Sequence, residues 1–258
     1  MLFVIDVGNT NVVLGVFDGK KLIAHWRLSS QSKQTVDEWG ILARNLFSHE
    51  KIDPLDIDGL IISSVVPPLD TVLEEVASRY FSLKAHFVRS ERQTKMAVKY
   101  EPPQDVGPDR IVNAVAAFEN HGGPCIIVDF GTATTFDAVS AGGEYMGGII
   151  APGIGIAAEA LYLRTARLPR VDIREPQQVI GKDTVGSMQS GLYYGYLSLA
   201  DGILERMVKE LGPKTQVIAT GGNAELLANG SKYIQHINPI LMLEGLWLMW
   251  EHERSGGR

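Results

Sequence analysis

The chain alternates short apolar runs with polar, glycine-bearing turns, and it does so in the same order twice. "LFVIDVGNTNVVLGVFDGKKLIAHWRL" reads as three strands, Leu2–Asp6, Val12–Phe17 and Lys21–Leu28, joined by tight turns. "CIIVDFGTATTFDAVSAGGEYMGGII" reads the same way, with strands Cys125–Asp129, Thr134–Val139 and Glu144–Ile150. The first run of each set is apolar throughout, as expected for a central strand covered on both faces. Laid over one another, the two stretches align Asp6 with Asp129, Gly8 with Gly131 and Asn9 with Thr132, without a gap. The offset is close to half the chain. One unit has been duplicated; the period is far too long for a solenoid of short repeats.

Helical periodicity follows each set. "TVDEWGILARNLFSH" puts Val36, Trp39, Leu42, Ala43 and Leu46 near one face, with Thr35 as candidate N-cap. "GLIISSVVPP" reads as a strand stopped by Pro67 and Pro68, "LDTVLEEVASRYF" as a second amphipathic helix and "HFVRS" as a short strand. In the second half, "GIGIAAEALYLRTARL" and "SMQSGLYYGYLSLADGILERMVKEL" read as helices and "QVIATGG" as a strand ending in Gly-Gly. "ILMLEGLWLMWEHE" reads as a last helix before a frayed "RSGGR". Between the halves, Ser90 to Gly107 includes "YEPPQDVGPDR", too rich in Pro and Gly for regular structure and of a size that is often functional.

Composition narrows the functional classes. Of 258 residues, 45% are hydrophobic and 21% charged, an ordinary globular balance sufficient for one large or two smaller cores. The formal net charge is −6 and Lys and Arg are scattered, which argues against broad binding to nucleic acid or acidic membranes. An anionic substrate therefore needs local neutralisation by backbone amides, cations or a few side chains. The single cysteine, Cys125, sits in an apolar strand and reads as a small core residue suited to a reducing cytosol. Asp6 interrupts the N-terminal apolar run, so no secretory signal is expected, and no run reaches the ~20 apolar residues of a membrane helix. The six histidines lack metal-ligand spacing; His25, His86 and His121 read as surface or strand residues. No Gly-x-x-x-x-Gly-Lys-Ser/Thr loop occurs, which argues against a P-loop kinase.

The turns after Asp6 and Asp129 carry the chemistry. A short turn after a buried strand points several N–H groups into one space, and glycine lets a phosphate come close. A carboxylate beside such a nest repels phosphate unless a divalent cation lies between, and Mg²⁺ prefers one or two carboxylates with waters and phosphates. Either turn alone also fits an ordinary hairpin in which the side chain bonds its own backbone. The pair suggests a clamp.

"DVGNTN", "DFGTATT" and the later "ATGG" (Ala219 to Gly222) together resemble the acetate and sugar kinase, heat-shock chaperone and actin superfamily. That resemblance implies an α/β fold of two duplicated ribonuclease-H-like, actin-like ATPase domains. Each is a mixed β-sheet flanked by helices, with ATP in the cleft between them; the expected domains are 1–107 and 108–258. "GPDR" (Gly107 to Arg110) ahead of "IVNAVAAFENH", "GGIIAPG", "GKDTVGSMQSGLYYG" and Tyr100 before the Pro-rich loop are similar to type III pantothenate kinases, in order along essentially the whole chain.

The family resemblance implies roles residue by residue. Asp109 would be the general base that takes the proton from the substrate hydroxyl; its position after Gly-Pro also fits a helix N-cap. Tyr100, Gly107, Pro108, Asp109, Arg110 and Thr184 would contact pantothenate. Arg110 offers a fixed fork for a carboxylate, and Thr184 also fits an N-cap for a helix starting near Ser187. Asp6, Val7, Gly8, Asn9, Thr10, Asn11, Val12 and Val13 would form the first ATP hairpin, with Asp6 positioning Mg²⁺–ATP. Thr132 would be a further ATP contact, and Asp129 would bind a monovalent cation, K⁺ or NH₄⁺. The family implies a cytoplasmic homodimer in coenzyme A biosynthesis, with Thr184 acting either within its own subunit or across the interface, and no nucleic-acid or membrane partner. A sugar or acetate kinase of the same superfamily and a non-catalytic nucleotide-binding regulator are the rival readings.

Overall fold

A computed structural model describes residues 1–31, 33–88 and 96–256. The first set of strands is β1 (Leu2–Val7), β2 (Asn11–Asp18), β3 (Lys21–Ser29), β4 (Gly59–Ser64) and β5 (His86–Phe87). They form a sheet of order β3-β2-β1-β4-β5. The first three strands are antiparallel, whereas β4 runs parallel to β1 and β5 parallel to β4. The second set is β6 (Cys125–Phe130), β7 (Ala133–Val139), β8 (Tyr145–Pro152), β9 (Gln216–Thr220) and β10 (His236–Ile237), in the order β10-β9-β6-β7-β8. The path is the same in both sheets, down to a register shift between Val16 and Phe17 in one and Ala138 and Val139 in the other. These are the two copies of one unit that the repeat predicts, and the mixed sheets of the ribonuclease-H-like fold that the resemblance implies.

The registers correct the gap-free alignment. Asp6 lies opposite Val13, but Asp129 lies opposite Thr135, so the second turn is one residue shorter. The next turn is one residue longer, because Phe17 pairs with Leu22 while Val139 pairs with Tyr145. Two compensating changes hide from a linear comparison. Structurally, Asp137 takes the place of Gly15, and Tyr145 that of Leu22.

Compact packing divides the chain into Met1–Met96, Glu101–Ala116 and Met242–Arg258 in one unit, and Ala97–Tyr100 and Ala117–Leu241 in the other. The division runs through helix α3 (Pro108–His121), whereas the sequence suggests consecutive segments meeting at residues 107 and 108. The helix runs unbroken through residues 116 and 117, where the division falls, with Ile111, Val112, Val115 and Ala116 all buried.

In the first unit, α1 (Val36–His49) and α2 (Pro67–Phe81) cover one face of the sheet. Thr35 caps α1 in a capping box: its hydroxyl accepts from the Glu38 amide, and Glu38 accepts from the Thr35 amide. Trp39, Ala43 and Phe47 then fall at i, i+4 and i+8 and enter the core. Phe47 is fully buried, with its ring centroid 5.0 Å from Phe3, 5.5 Å from Phe81 and 5.8 Å from Trp26. The opposite face carries α7 (Leu241–Gly256). Leu243 abuts the space at Gly15, Trp250 covers Gly59, and Gly245 meets Val112 of α3. The segment expected to fray is helical as far as Gly256.

In the second unit, α4 (Ile154–Arg164), α5 (Thr184–Leu211) and α6 (Ala224–Ala228) accompany the sheet. Leu192, Tyr193, Ala200 and Leu204 of α5 pack with Ile126, Val128, Phe130 and Phe136. Burial pushes the Cys125 thiol up to about 12, in line with an inert core residue. The helix expected near Ser187 begins at Thr184 and is capped by Asp183, which accepts from the Gly186 amide at 2.7 Å; Thr184 is its first helical residue and not its cap. Asp and Thr are both good caps, and adjacency left the choice to geometry. The Pro-rich connection holds a short 3-10 turn at Pro103–Asp105 and a single bridge from Val98 to Tyr145. Its residues 90–95, and Arg89 and Ser90 of the short strand expected at "HFVRS", lie outside the described residues.

Truncating Phe47 to Ala removes the aromatic contact shared by β1, β3, α1 and α2. The expected cost is about 3–5 kcal/mol, read as a lower urea midpoint with unchanged secondary structure in the surviving folded fraction.

Candidate functional site

The first hairpin places its carboxylate where the apolar strand stops. In β1 the side chains of Phe3, Ile5 and Val7 enter the core with α1 and α2, so Asp6 faces the other way, on the side carrying α7. Asp6 is half-buried, and its register partners are Val13 and the fully buried Ser63. The turn closes by a 2.9 Å bond from the Gly8 amide to the Asn11 carbonyl, and a Cβ at Gly8 would stand only 3.0 Å from that oxygen. Asn9 and Thr10 are exposed at the tip. Val7 and Val12 are core side chains, and the Val7 carbonyl already accepts from the Val65 amide at 3.0 Å. At this turn Asp6, Gly8, Asn11 and Val13 are half-buried and Asn9 and Thr10 exposed, whereas the side chains of Val7 and Val12 are buried.

Asp109 is set by the start of α3. The Gly107 carbonyl accepts from the amides of Arg110 and Ile111 at 3.1 and 3.4 Å, and Pro108 opens the helix. Asp109 is therefore inside the first turn and not an N-cap; its carboxylate accepts from the Arg110 amide at 2.9 Å. A side chain at Gly107 would overlap that carboxylate. Burial raises the Asp109 pKa above the usual aspartate value, and the Arg110 amide and guanidinium pull it back only in part. Arg110 itself is buried. A desolvated carboxylate one residue from a buried guanidinium is chemically apt to accept a proton beside an anion.

The second unit holds the other hairpin. Asp129 is half-buried near the end of β6, opposite Thr135 on β7 and Thr220 on β9. A Cβ at Gly131 would stand 3.1 Å from Asp129 Oδ1, and a Cβ at Gly221 would overlap the same oxygen. Gly221 also has a φ of +91°, which other residues avoid. Gly221 after β9 is thus required both by its backbone conformation and by the carboxylate beside it. Thr132 is exposed, and its carbonyl accepts from the Gly153 amide at 3.1 Å. Among the described residues no group of three or more His, Cys, Asp or Glu side chains is placed to hold a metal, so a cation here would rely on Asp129 with main-chain or hydroxyl oxygens.

Tyr100 and Thr184 belong to the same unit but occupy different surroundings. Tyr100 is half-buried, its ring 3.5 Å from the Cβ position of Gly147. Thr184 is exposed and lines an open pocket of 1020 Å³ between α4 and α5, largely apolar but flanked by Arg164 and Lys182. Tyr100, Asp129 and Thr132 do not line that pocket.

Two residues that sequence reasoning passed over stand out. Asp137 is 1% exposed and Tyr145 fully buried; the Tyr145 hydroxyl donates to Asp137 Oδ1 at 2.6 Å, and the Thr135 hydroxyl to Oδ2 at 3.1 Å. A lone polar residue within an alternating strand looks solvent-facing, and only the register shows that it is not.

Known proteins decide the family. A family model described as type III pantothenate kinase matches residues 2–206. The chain belongs to the type III pantothenate kinase family. The protein of that description from Koribacter versatilis (strain Ellin345) is 58% identical, over 100% of this chain and 98% of its own. Another, from Solibacter usitatus (strain Ellin6076), is 51% identical, over 97% and 96%. Among solved structures, a Baf family transcriptional activator from Campylobacter jejuni superposes with a TM-score of 0.61 at 18% identity, covering 98% of this chain and 99% of that one, a likeness of fold. No described helix is long and apolar enough to cross a membrane.

Replacing Gly221 with Ala forces an L residue into the left-handed region against Asp129. A loss of about 1–3 kcal/mol is expected in chemical denaturation, while Gly155→Ala, in open space on α4, should cost almost nothing.

Proposed function

We propose that the chain transfers the γ-phosphoryl group of ATP to the primary hydroxyl of pantothenate, giving 4′-phosphopantothenate, the first step of coenzyme A biosynthesis. Membership of the type III pantothenate kinases supports the reaction, and the setting of Asp109 supports its assignment as the base. Its carboxylate is partly desolvated, anchored by one amide, and kept clear of its neighbour by Gly107. It accepts the hydroxyl proton as the oxygen attacks phosphorus. Arg110, together with Gly107, Pro108, Tyr100 and Thr184, binds pantothenate, the guanidinium meeting its carboxylate. Phosphoryl transfer asks little covalent chemistry of the protein, so positioning and charge carry the rate.

The nucleotide is held by the turn from Asp6 to Val13 and by Thr132. Mg²⁺ arrives with ATP and lowers the charge on its phosphates; Asp6 is the carboxylate that holds that complex. Asp129 holds a monovalent cation, K⁺ or NH₄⁺. The two glycines beside it support this, since a side chain at Gly221 would overlap its Oδ1 and one at Gly131 would press on the same oxygen. In a chain of net charge −6, a bound cation offsets repulsion where ATP and a carboxylate substrate come together. The protein acts in the cytoplasm as a homodimer, without nucleic-acid or membrane partners. Exposed Val179, Ile180 and Leu163 near the Thr184 pocket support an interface there, through which Thr184 reaches a neighbouring site.

Turnover with pantothenate, ATP and Mg²⁺ tests the reading; sugars or acetate as preferred acceptors would overturn it. Asp109→Asn should lower kcat by ~10²–10⁴ with an unchanged or raised melting temperature. The base works ionised, so kcat/KM falls as pH drops through its pKa. Burial raises that pKa, so the acid limb should lie above the range of an ordinary aspartate and should vanish from the residual activity of Asp109→Asn. K⁺ should raise the melting temperature of the substrate-free protein, and Asp129→Asn should abolish that rise.

A further inference from the structure

We propose that the buried Asp137–Tyr145 pair is a positioning device for Tyr100, and through it sets the affinity for pantothenate. The inference rests on the reading of Tyr100 as a pantothenate contact.

Tyr145 is tied at both its ends. Its hydroxyl donates to Asp137, and the second oxygen of that carboxylate accepts from Thr135, so the phenol is fixed to the middle of β7. Its main chain is equally committed. The Tyr145 amide donates to the Ala97 carbonyl at 2.8 Å, and its carbonyl accepts from the Lys99 amide at 2.8 Å. Those two bonds clamp Val98 from both sides in an isolated parallel bridge, and Tyr100 is the next residue but one. The Tyr100 ring then lies beside Gly147, two residues along β8 from Tyr145. Residues 97–100 thereby take their position from the main chain of one residue, whose side chain ties it to β7. The adjacent Lys99–Glu144 ion pair, 3.2 Å but exposed, adds little.

The duplicated unit strengthens the assignment. At the equivalent places the first sheet has Gly15 and Leu22, in apolar contact beneath α7. A carboxylate and a phenol in the interior are a costly replacement for that contact, and the two hydroxyls that bond the carboxylate offset the cost. The fold does not need them, since its other copy is built without them. What the second copy has in addition is the clamped segment that carries Tyr100.

The test is a double-mutant cycle on pantothenate affinity, by calorimetry and by steady-state KM. Tyr145→Phe keeps the ring and removes one bond; it should weaken pantothenate about tenfold while KM for ATP changes less than about twofold. On a Tyr100→Ala background the same change should have no further effect. Asp137→Asn, which keeps an acceptor for Tyr145, should stay within about threefold of the unmodified protein and serves as the second variant if Tyr145→Phe folds poorly. A tenfold loss for Tyr145→Phe persisting in Tyr100→Ala, or a lowered melting temperature with pantothenate affinity intact, would overturn the proposal and reduce the pair to sheet packing. If Tyr100→Ala alone leaves affinity unchanged, the Tyr100 reading fails and the proposal with it. No turnover of pantothenate by the unmodified protein would instead refute the proposed reaction.

Discussion

Close approach between a carboxylate and a residue without a side chain underlies the site in both units. Asp129 Oδ1 lies against Gly131 and Gly221, and Asp109 Oδ1 against Gly107. At Gly107 and Gly221 a methyl group would overlap the acid, and at Gly131 it would press on it at 3.1 Å. The three glycines act less as flexible joints than as vacated volume, which lets a charged oxygen stand at the end of a buried element without being walled in. The consequence is electrostatic. Asp109 is desolvated enough to raise its pKa while one amide and Arg110 limit the rise.

Much of this was legible in the sequence because apolar strands that end on a carboxylate and a glycine are rare enough to compare. The strands of the two repeats came within a residue or two of their observed ends, while the two-residue strand β10 went unread because it is too short to show a period; Thr35 was read as a cap, and Glu38 completes the box with it. What escaped depended on geometry that letters do not encode. The turn after Asp129 is one residue shorter than its counterpart and the next one longer, so the alignment looked gapless while the pairing slipped between them. Asp183 and Thr184 are both competent caps, and backbone angles alone assign the task to Asp183. The apolar stripe of α7 fits any core, and nothing in it announces that Leu243 and Trp250 pack on the first sheet.

The two copies have diverged where their surroundings differ. In the first, Gly15 leaves room for a helix that arrives from the far end of the chain. In the second, the same position carries Asp137, and the strand beside it supports an added segment through Tyr145. Duplication supplied one sheet design twice; the face opposite the main core is where each copy acquired its own work.

That late-arriving helix has a bearing on synthesis. During translation, β1, β2 and β4 leave the ribosome long before residues 242–256 exist, and the face around Val4, Gly15 and Gly59 stays bare in the meantime. The amino-terminal lobe therefore completes its packing only after residues 242–256 have been made. A chain stalled before that point would present unsatisfied apolar surface to chaperones rather than a finished lobe.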